Sequence, residues 1–292
     1  MGTHRSGRGA EILFLMAVDD MTGATPPGGW RNFYGRRSGK ALKPHQRAWL
    51  AEDLSSLVPD GIRPDENPAR SLLALSAVFG DARPVWLEIG FGGGEHLVHM
   101  AAQNPDIGLI GAEPYVNGVA MLLGKIRRAD VGNLALYPGD VRDVMDVLPA
   151  ASIARAFLNY PDPWPKRRHH DRRFVTPGYL RALAHVMAPG AVLRVASDIP
   201  DYIRQALEEI PRAGFDLCTP DPAQWSVPWD DWLSTRYEQK ALREGRSPHY
   251  LTFQRTQTPA PRPVSVPKMA TAARRAPIAT ATATPQPDSD PG

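Results

Sequence analysis

Short apolar runs alternate with amphipathic segments through the middle of this chain, and this alternation constrains the fold more than any other feature. Five predicted strands cover residues 85–89, 107–112, 134–137, 153–158 and 191–196. Predicted helices follow four of these strands, over residues 95–104, 116–129, 177–188 and 201–212. Strands that alternate with helices in this way form a mostly parallel sheet with helices on both faces. The sequence therefore predicts an α/β fold with a doubly wound, Rossmann-like sheet.

The pattern also predicts one folded domain, over residues 36–256, between two flexible ends. Residues 257–292 are rich in Pro, Ala and Thr and contain no aromatic side chain. Such a segment cannot bury enough apolar surface to offset the entropy of ordering it, so we expect a disordered tail. We expect residues 1–35 to be a flexible N-terminal extension.

Composition excludes several classes of protein. The one cysteine, Cys218, cannot form an internal disulfide or a cysteine-based metal site, and we expect it to be a small buried core residue. The histidines show no metal-ligand spacing, so no metal is predicted. The longest early apolar run is too short to span a membrane. These features favour a cytoplasmic protein without a membrane partner.

Acidic residues follow the first three predicted strands, and glycines accompany the first. Gly90 and Gly92 come directly after strand residues that include Glu88, and such glycines let the backbone approach a bound nucleoside. A GxG turn alone would also fit NAD, but Glu88 would repel a pyrophosphate and tolerate the cationic S-adenosylmethionine. Glu113, after the second strand, can bind both ribose hydroxyls. Asp140, after the third, can reach the adenine amino group. A structural glycine turn with incidental acids is the alternative.

A proline-framed acid followed at once by a basic run is the second motif. Asp162 lies between Pro161 and Pro163, just past the fourth predicted strand, where open α/β sheets bind ligands. Five Lys/Arg residues lie between Lys166 and Arg173, which suits a polyanion. The motif predicts a reaction site beside a nucleic-acid contact, and a solvated surface loop is the alternative. Trp164 has two interpretations, a ring that stacks on a base or one that covers the core.

Two further segments have both a structural and a functional interpretation. Asp198 follows the fifth predicted strand and would either orient a substrate or cap the next helix. Thr235 and Glu238 match a capping box at a helix start. The free N–H groups of that helix start would also suit an anion or a base edge.

These motifs, in this order, resemble the bacterial tRNA (guanine-N7-)-methyltransferases, over roughly residues 36–253. The resemblance rests on LEIGFGGG from Leu87, AEP from Ala112, GD at Gly139, NYPDPWPKRRH from Asn159, ASD from Ala196 and TRYE from Thr235. The PDPW-K-x-RH segment is specific to the family, whereas the glycine loop is shared with most class I methyltransferases. Asp171 departs from the family pattern, which often has a basic residue there.

The resemblance implies a class I methyltransferase sheet and methyl transfer from S-adenosylmethionine to N7 of guanine in tRNA, at position 46 of the variable loop. It implies that Glu88, Glu113, Asp140 and Asp162 bind the cofactor beside Gly90 and Gly92, and that Asp162 is catalytic. It implies that substrate is bound by Lys166, Asp198, Thr235, Arg236, Tyr237 and Glu238. It implies that Arg168, His169, His170, Asp171, Arg172 and Arg173 contact RNA.

The implied partner is tRNA, bound by a monomer or homodimer with no obligate protein partner. Since methylation of N7 needs no proton removal, positioning and electrostatics would carry the catalysis. Three other classes compete with this interpretation. A small-molecule or protein methyltransferase would not explain the basic run, and a non-catalytic RNA-binding protein would not explain the cofactor acids. An NAD dehydrogenase would not explain Glu88, whose carboxylate would repel the pyrophosphate of NAD.

Overall fold

The computed structural model describes residues 33–263, within which seven strands form one sheet. Most of the predicted N-terminal extension and of the predicted tail lies outside the described residues. The strands are β1 (Val85–Ile89), β2 (Gly108–Ala112), β3 (Leu134–Tyr137), β4 (Ile153–Asn159), β5 (Met187–Ser197), β6 (Phe215–Leu217) and β7 (His249–Arg255). Their order across the sheet is β3-β2-β1-β4-β5-β7-β6. The first five pair in parallel, and β7 is antiparallel to both β5 and β6.

Helices cover both faces of this sheet, which confirms the predicted doubly wound α/β architecture. The helices are α1 (Pro44–Glu52), α2 (Leu54–Leu57), α3 (Leu75–Phe79), α4 (Glu95–Gln103), α5 (Val116–Ala129), α6 (Val141–Val147), α7 (Pro177–Val186), α8 (Pro200–Arg212) and α9 (Arg236–Arg243). One buried cluster joins α1, α2, α4 and α5 to side chains such as Trp86 and Phe157. The other joins α6, α7 and α8 to Leu87 and Leu158. Since neighbouring strand residues enter opposite clusters, both faces of the sheet are buried.

The carboxyl ends of the parallel strands lie at one edge of the sheet, because successive strands run in the same direction. In register, Ile89 of β1 pairs with Ala112 of β2, which pairs with Tyr137 of β3. The chain therefore leaves these strands at one level, where Gly90, Glu113 and Pro138 begin the loops. This edge holds the candidate site.

Some predicted elements differ from the structure. Strand β5 begins at Met187, four residues before the predicted start. Its first residue, Met187, already pairs with Ile153 of β4, so the strand includes the Pro189-Gly190 pair that was expected to precede it. Helix α6 and the β6–β7 pair were not predicted. Cys218 is exposed, so its predicted burial is wrong: it follows the short edge strand β6 instead of entering the core.

The chain beyond β7 stays against the domain for several residues. Arg255 is buried, and its guanidinium donates to the carbonyl oxygens of Ala184 (2.9 Å) and Thr258 (2.7 Å). The Nδ1 of His185 lies 2.8 Å from the carbonyl oxygen of Ala260. These contacts involve residues that the sequence placed in the tail. No helix within the described residues is both long and apolar enough to cross a membrane.

Candidate active site

A cavity of about 430 Å³ opens at the carboxyl edge of strands β1 to β4. Eight residues that the sequence singled out line it: Gly90, Gly92, Glu113, Asp140, Asp162, Trp164, Arg172 and Tyr237. Other lining residues were missed, among them Phe33, Tyr34, Arg36, Tyr115, Arg142, Asn159, Phe174 and Tyr179. The fold thus brings together the acids and glycines of three separate strand ends, with the proline-framed acid at the fourth.

The glycine loop after β1 is fixed against Glu113. The N–H of Gly92 donates to Oε2 of Glu113 at 2.7 Å, and the N–H of Tyr115 donates to Oε1 at 2.8 Å. Gly90 and Gly92 have φ values of +73° and +55°, which other residues adopt only with strain. A Cβ on Gly90 would meet no atom within 4 Å, so the loop backbone is open to the cavity there. Burial raises the pKa of Glu113 above its ordinary value.

Asp140, at the end of β3, is held by Arg142. It is the N-cap of α6 and accepts from the backbone N–H of Arg142 at 2.9 Å. The Nε of Arg142 lies 2.8 Å from Oδ1 of Asp140, and its guanidinium carbon is 4.9 Å above the ring of Tyr179. The cavity therefore ends in a carboxylate, a planar cation and an aromatic ring, a set that can border a planar heterocycle.

Glu88 does not line the cavity. Its Oε2 lies 2.8 Å from Nδ1 of His96, and both side chains are 3% exposed. The His96 ring packs against Phe157 and Trp232, with centroids 4.7 and 5.3 Å apart. Glu88 therefore belongs to a buried carboxylate–imidazole pair behind the glycine loop, and its contact with a cofactor stays a prediction. Nothing in the sequence pattern marked His96, although it stands only eight residues after Glu88.

Asp162 is carried on a strained turn after β4. One non-glycine residue on each side of it has a positive φ: +49° at Tyr160 and +37° at Trp164. Within residues 33–263 no hydrogen bond or ion pair holds the Asp162 carboxylate, so the backbone of the turn sets its position. Partial desolvation beside the cavity raises the pKa of Asp162 above its ordinary value, although the residue as a whole is exposed.

Asn159, the last residue of β4, places a buried amide at the cavity wall. It is 8% exposed, and neither its Nδ2 nor its Oδ1 has a hydrogen-bond partner among the described protein atoms. Buried amides without partners are uncommon, and a bound group with one donor and one acceptor would satisfy this one. Asn159 opens the NYPDPWPKRRH motif, but the sequence assigned it no role.

Residues before α1 form one wall of the cavity. Phe33, Tyr34 and Arg36 line it. The segment is tied to the start of α5, where Asn117 accepts from the N–H of Gly39 (2.7 Å) and donates to the carbonyl oxygen of Lys40 (2.7 Å). The wall therefore includes residues that lie before the predicted start of the domain, which local sequence signals did not indicate.

Arg172 joins that wall to the Asp162 turn. Its guanidinium carbon lies 4.4 Å from the ring centroid of Tyr34 and 5.0 Å from that of Trp164. The two rings make an edge contact with centroids 6.5 Å apart. Trp164 therefore packs on an arginine at the mouth of the cavity instead of covering the core, and its stacking on a base stays a prediction.

The basic run divides into outward and inward members. Lys166, Arg168 and Asp171 are exposed, and His169 is half-exposed with its pKa lowered by desolvation and by Arg172 and Arg168. The Nε2 of His170, by contrast, lies 3.2 Å from Oδ2 of Asp201.

Arg173 is only 1% exposed. The RNA contact predicted for Arg173 is therefore wrong in this arrangement, because its guanidinium is enclosed by the protein. The spacing of the basic run could not show this, since a 3-10 helix over Arg167–Arg172 turns successive side chains in different directions.

The segment from Thr235 to Glu238 contains both a residue that lines the cavity and residues that stabilise the start of α9. Tyr237 lines the cavity, and the Arg236 guanidinium carbon lies 5.1 Å from the Tyr237 ring centroid. Thr235 caps α9 by accepting from the N–H of Glu238 (3.3 Å), as predicted. The Glu238 carboxylate does not return the bond. It is 4% exposed and accepts from Nε1 of Trp232 (3.0 Å) and from the hydroxyl of Tyr250.

Asp198 lies outside the cavity lining and is paired with Arg246. It is not the cap of α8 either, because Ile199 occupies the N-cap position. The capping interpretation is therefore wrong, and the substrate-orienting role of Asp198 stays a prediction. Within the described part of the chain no group of three or more His, Cys, Asp or Glu side chains could hold a metal ion.

A family model and similar curated sequences place the chain in one family. The family model described as "Putative methyltransferase" matches residues 82–251. A tRNA (guanine-N(7)-)-methyltransferase of Cereibacter sphaeroides is 67% identical over 239 residues, which is 82% of this chain and 97% of the relative. One of Ruegeria pomeroyi is 66% identical over 235 residues, 80% of this chain and 99% of the relative. The solved 16S rRNA methyltransferase KamB is more distant, with 17% identity and a TM-score of 0.47 over 64% of this chain and 95% of its own.

Proposed function

This chain belongs to the tRNA (guanine-N(7)-)-methyltransferase family, and on that premise we propose how its cavity transfers a methyl group from S-adenosylmethionine to N7 of guanine in tRNA. Its sheet is the Rossmann-like sheet of a class I methyltransferase. One observation carries the site assignment: Asp162 lines the same cavity as Gly92 and Glu113, and Arg172 stands on its rim. A cofactor cavity, an acid and a phosphate-binding cation thus share one opening.

The residues present fit S-adenosylmethionine at each part of the molecule. Asp140, Arg142 and Tyr179 border the adenine end. Both Glu113 oxygens already accept backbone N–H groups, and each keeps a second lone pair for a ribose hydroxyl. The unpartnered amide of Asn159 suits the methionine end, because an α-ammonium group and its carboxylate supply one donor and one acceptor.

Asp162 acts by charge and position. S-adenosylmethionine supplies a methyl group on a sulfonium; N7 of guanine takes this group, and the electron pair of the broken C–S bond stays on sulfur. The N7 lone pair is exposed in the neutral base, so no proton has to be removed. We infer that the Asp162 carboxylate stabilises the positive charge that arrives on the guanine ring and accepts from the N–H groups of its edge. Partial desolvation strengthens that interaction.

Outward-facing cations beside the cavity bind the tRNA backbone in this proposal. Lys166 and Arg168 are exposed, Arg172 lines the cavity, and the ring of His169 contacts Trp164. The segment from Arg31 to Arg47, which runs into α1, adds six Lys/Arg without an acid. Contacts of this kind position the RNA without reading its sequence.

The family resemblance supports the guanine at position 46 in the variable loop as the target. We further propose that the protein acts in the cytoplasm, as a monomer or homodimer without an obligate protein partner. The resemblance links Glu88 to the cofactor and Glu238 to the substrate. Both carboxylates are buried among aromatic side chains beside the glycine loop and the Asp162 turn. In this proposal they also support the site from behind.

The proposal is tested by methyl transfer from labelled S-adenosylmethionine to unmodified tRNA, followed by digestion and mass spectrometry of the nucleosides. We expect 7-methylguanosine, lost when guanine 46 is replaced by adenine. Product at another guanine would reject the assigned position. Labelled product in protein or small molecules, with none in RNA, would reject the acceptor.

A further inference from the structure

Arg173 has no assigned role once its burial excludes the RNA contact that the family resemblance implied. It follows the basic 3-10 helix at the rim of the site, yet its side chain turns inward and is 1% exposed. The guanidinium lies between the Asp162 turn and helix α8. Buried arginines are rare unless they are fully paired, so its partners indicate what it does.

All five N–H donors of this guanidinium have acceptors, on two separate elements. On the Asp162 turn, Nε donates to the carbonyl oxygen of Pro163 (2.8 Å) and Nη2 lies 3.3 Å from that of Trp164. On α8, Nη2 lies 2.8 Å from Oδ2 of Asp201. Nη1 lies 2.9 Å from Oε1 of Gln205 and 3.4 Å from the carbonyl oxygen of Asp201. The fork thus joins the turn to a helix whose inner face is packed in the core.

The turn needs such a clamp because its own geometry does not hold it. Prolines fix φ at positions 161, 163 and 165 but leave ψ free. Tyr160 and Trp164 stand in the left-handed region, and such residues persist only where their surroundings over-determine them. Arg173 holds the two peptide carbonyls that directly follow Asp162. Its contacts therefore fix the direction in which the Asp162 side chain leaves the turn.

Arg173 also differs in role from its neighbour Arg172 in the basic run. Arg172, one residue earlier, contacts the rings of both Tyr34 and Trp164 at the mouth of the cavity. Because Arg173 binds the carbonyl oxygen of Trp164, it also holds the residue that carries one of these rings. The inward arginine thereby supports both the carboxylate and the outward arginine.

We propose that Arg173, anchored by Asp201, is a positioning residue for methyl transfer: it sets the Asp162 carboxylate relative to the bound methyl donor and makes no contact with RNA. This inference rests on the proposed function of the site. A merely structural role would lower thermal stability and leave the turnover of folded enzyme unchanged. A positioning role lowers kcat, because a displacement of about 1 Å in a reacting group can cost on the order of 100-fold in rate.

The test compares Arg173→Lys and Asp201→Asn with Arg204→Ala as the matched control. Lysine keeps the charge but cannot form the fork, so one ammonium cannot reach both carbonyls and α8. Arg204 pairs with the same Asp201 through the other carboxylate oxygen and makes no contact with the turn. The readouts are kcat, KM for tRNA, the Kd of S-adenosylhomocysteine, the salt dependence of tRNA binding and Tm.

We expect Arg173→Lys to lower kcat about 10-fold to 100-fold, with KM for tRNA and the salt slope unchanged, and Asp201→Asn to lower it less. Arg204→Ala should match the wild type. A wild-type kcat in Arg173→Lys, at any Tm, would overturn the proposal, and so would a loss confined to KM and the salt slope. If Arg173→Lys does not fold, Asp201→Asn decides: a lower kcat supports the proposal, and a wild-type kcat overturns it. Absence of 7-methylguanosine with the wild type would instead reject the proposed function.

Discussion

Gly92 donates its backbone N–H to Oε2 of Glu113 across 2.7 Å, and this bond joins the glycine loop after β1 to the end of β2. Both residues line the cavity. The other oxygen of Glu113 is fixed by the N–H of Tyr115, so the carboxylate is held in one orientation before any ligand arrives. A preorganised acceptor for two ribose hydroxyls loses little entropy when it binds.

Glu113→Gln should therefore weaken cofactor binding. The amide keeps one acceptor oxygen and turns a donor toward a backbone N–H, so one hydrogen bond is lost and two donors face each other. We expect the Kd of S-adenosylhomocysteine to rise about 10-fold to 100-fold, as measured by calorimetry. Glu209→Gln, at a surface ion pair with Arg212 on α8, is the control and should bind normally. Equal affinities for the Glu113 variant and the wild type would exclude Glu113 from the cofactor site.

Gly118→Ala should disrupt the glycine loop from the side of α5. A Cβ at Gly118 would lie 2.2 Å from the carbonyl oxygen of Gly92, which is backbone and cannot swing away. We expect the free energy of unfolding to fall by about 1–3 kcal/mol despite the better helix propensity of alanine, and cofactor affinity to fall with it.

Gly132→Ala is the matched control for that substitution, because its Cβ would meet no atom within 4 Å. Its unfolding free energy should stay within about 0.5 kcal/mol of the wild type. Denaturant titration measures both variants. Unchanged stability and affinity in Gly118→Ala would show that the loop and the helix are not packed as described.

Arg172→Ala should weaken tRNA binding and make it less sensitive to salt. The Arg172 guanidinium contacts the rings of Tyr34 and Trp164 and lines the cavity, where it could reach a phosphate of bound RNA. Loss of one phosphate contact should reduce the slope of log K against log salt by about 0.7 to 0.9. Filter binding at several salt concentrations measures the slope. A lower affinity with an unchanged slope would indicate a packing role for Arg172 instead of a phosphate contact.

The rate of methyl transfer should fall in mild acid. Desolvation raises the pKa of Asp162, so its carboxylate takes up a proton at a higher pH than an ordinary aspartate does. The active form is the charged one; activity is therefore full above this raised pKa and is lost as the pH falls through it. Single-turnover rates, measured over a range in which circular dichroism shows folded protein, check this. A rate that stays flat down to the pKa of a free aspartate would contradict it.

The shared position of the acids and glycines at one cavity was predictable because it follows from strand ends. Glu113 and Asp140 come directly after apolar strands, and parallel strands end at one edge. Gly90 and Gly92 signal a close backbone approach for the same reason. These are local patterns, and their meeting in space follows from the sheet alone.

Other parts of the site depend on contacts that no local pattern encodes. Arg173 and Arg172 are adjacent in sequence, yet one is enclosed and the other lines the cavity, since α8 supplies acceptors for only one of them. Tyr34 reaches the site from a segment with no strand or helix signal. Glu88 meets His96 only after α4 folds back across β1.

The most direct test of the account is the single-turnover rate of Asp162→Asn in a preformed complex with tRNA and S-adenosylmethionine. Asparagine keeps the shape of the side chain and removes its charge. We expect the rate to fall about 100-fold to 1,000-fold while the Kd for tRNA stays near the wild-type value, because the carboxylate stabilises charge that develops during transfer. A rate within about threefold of the wild type would mean that electrostatic stabilisation at Asp162 does not carry the reaction.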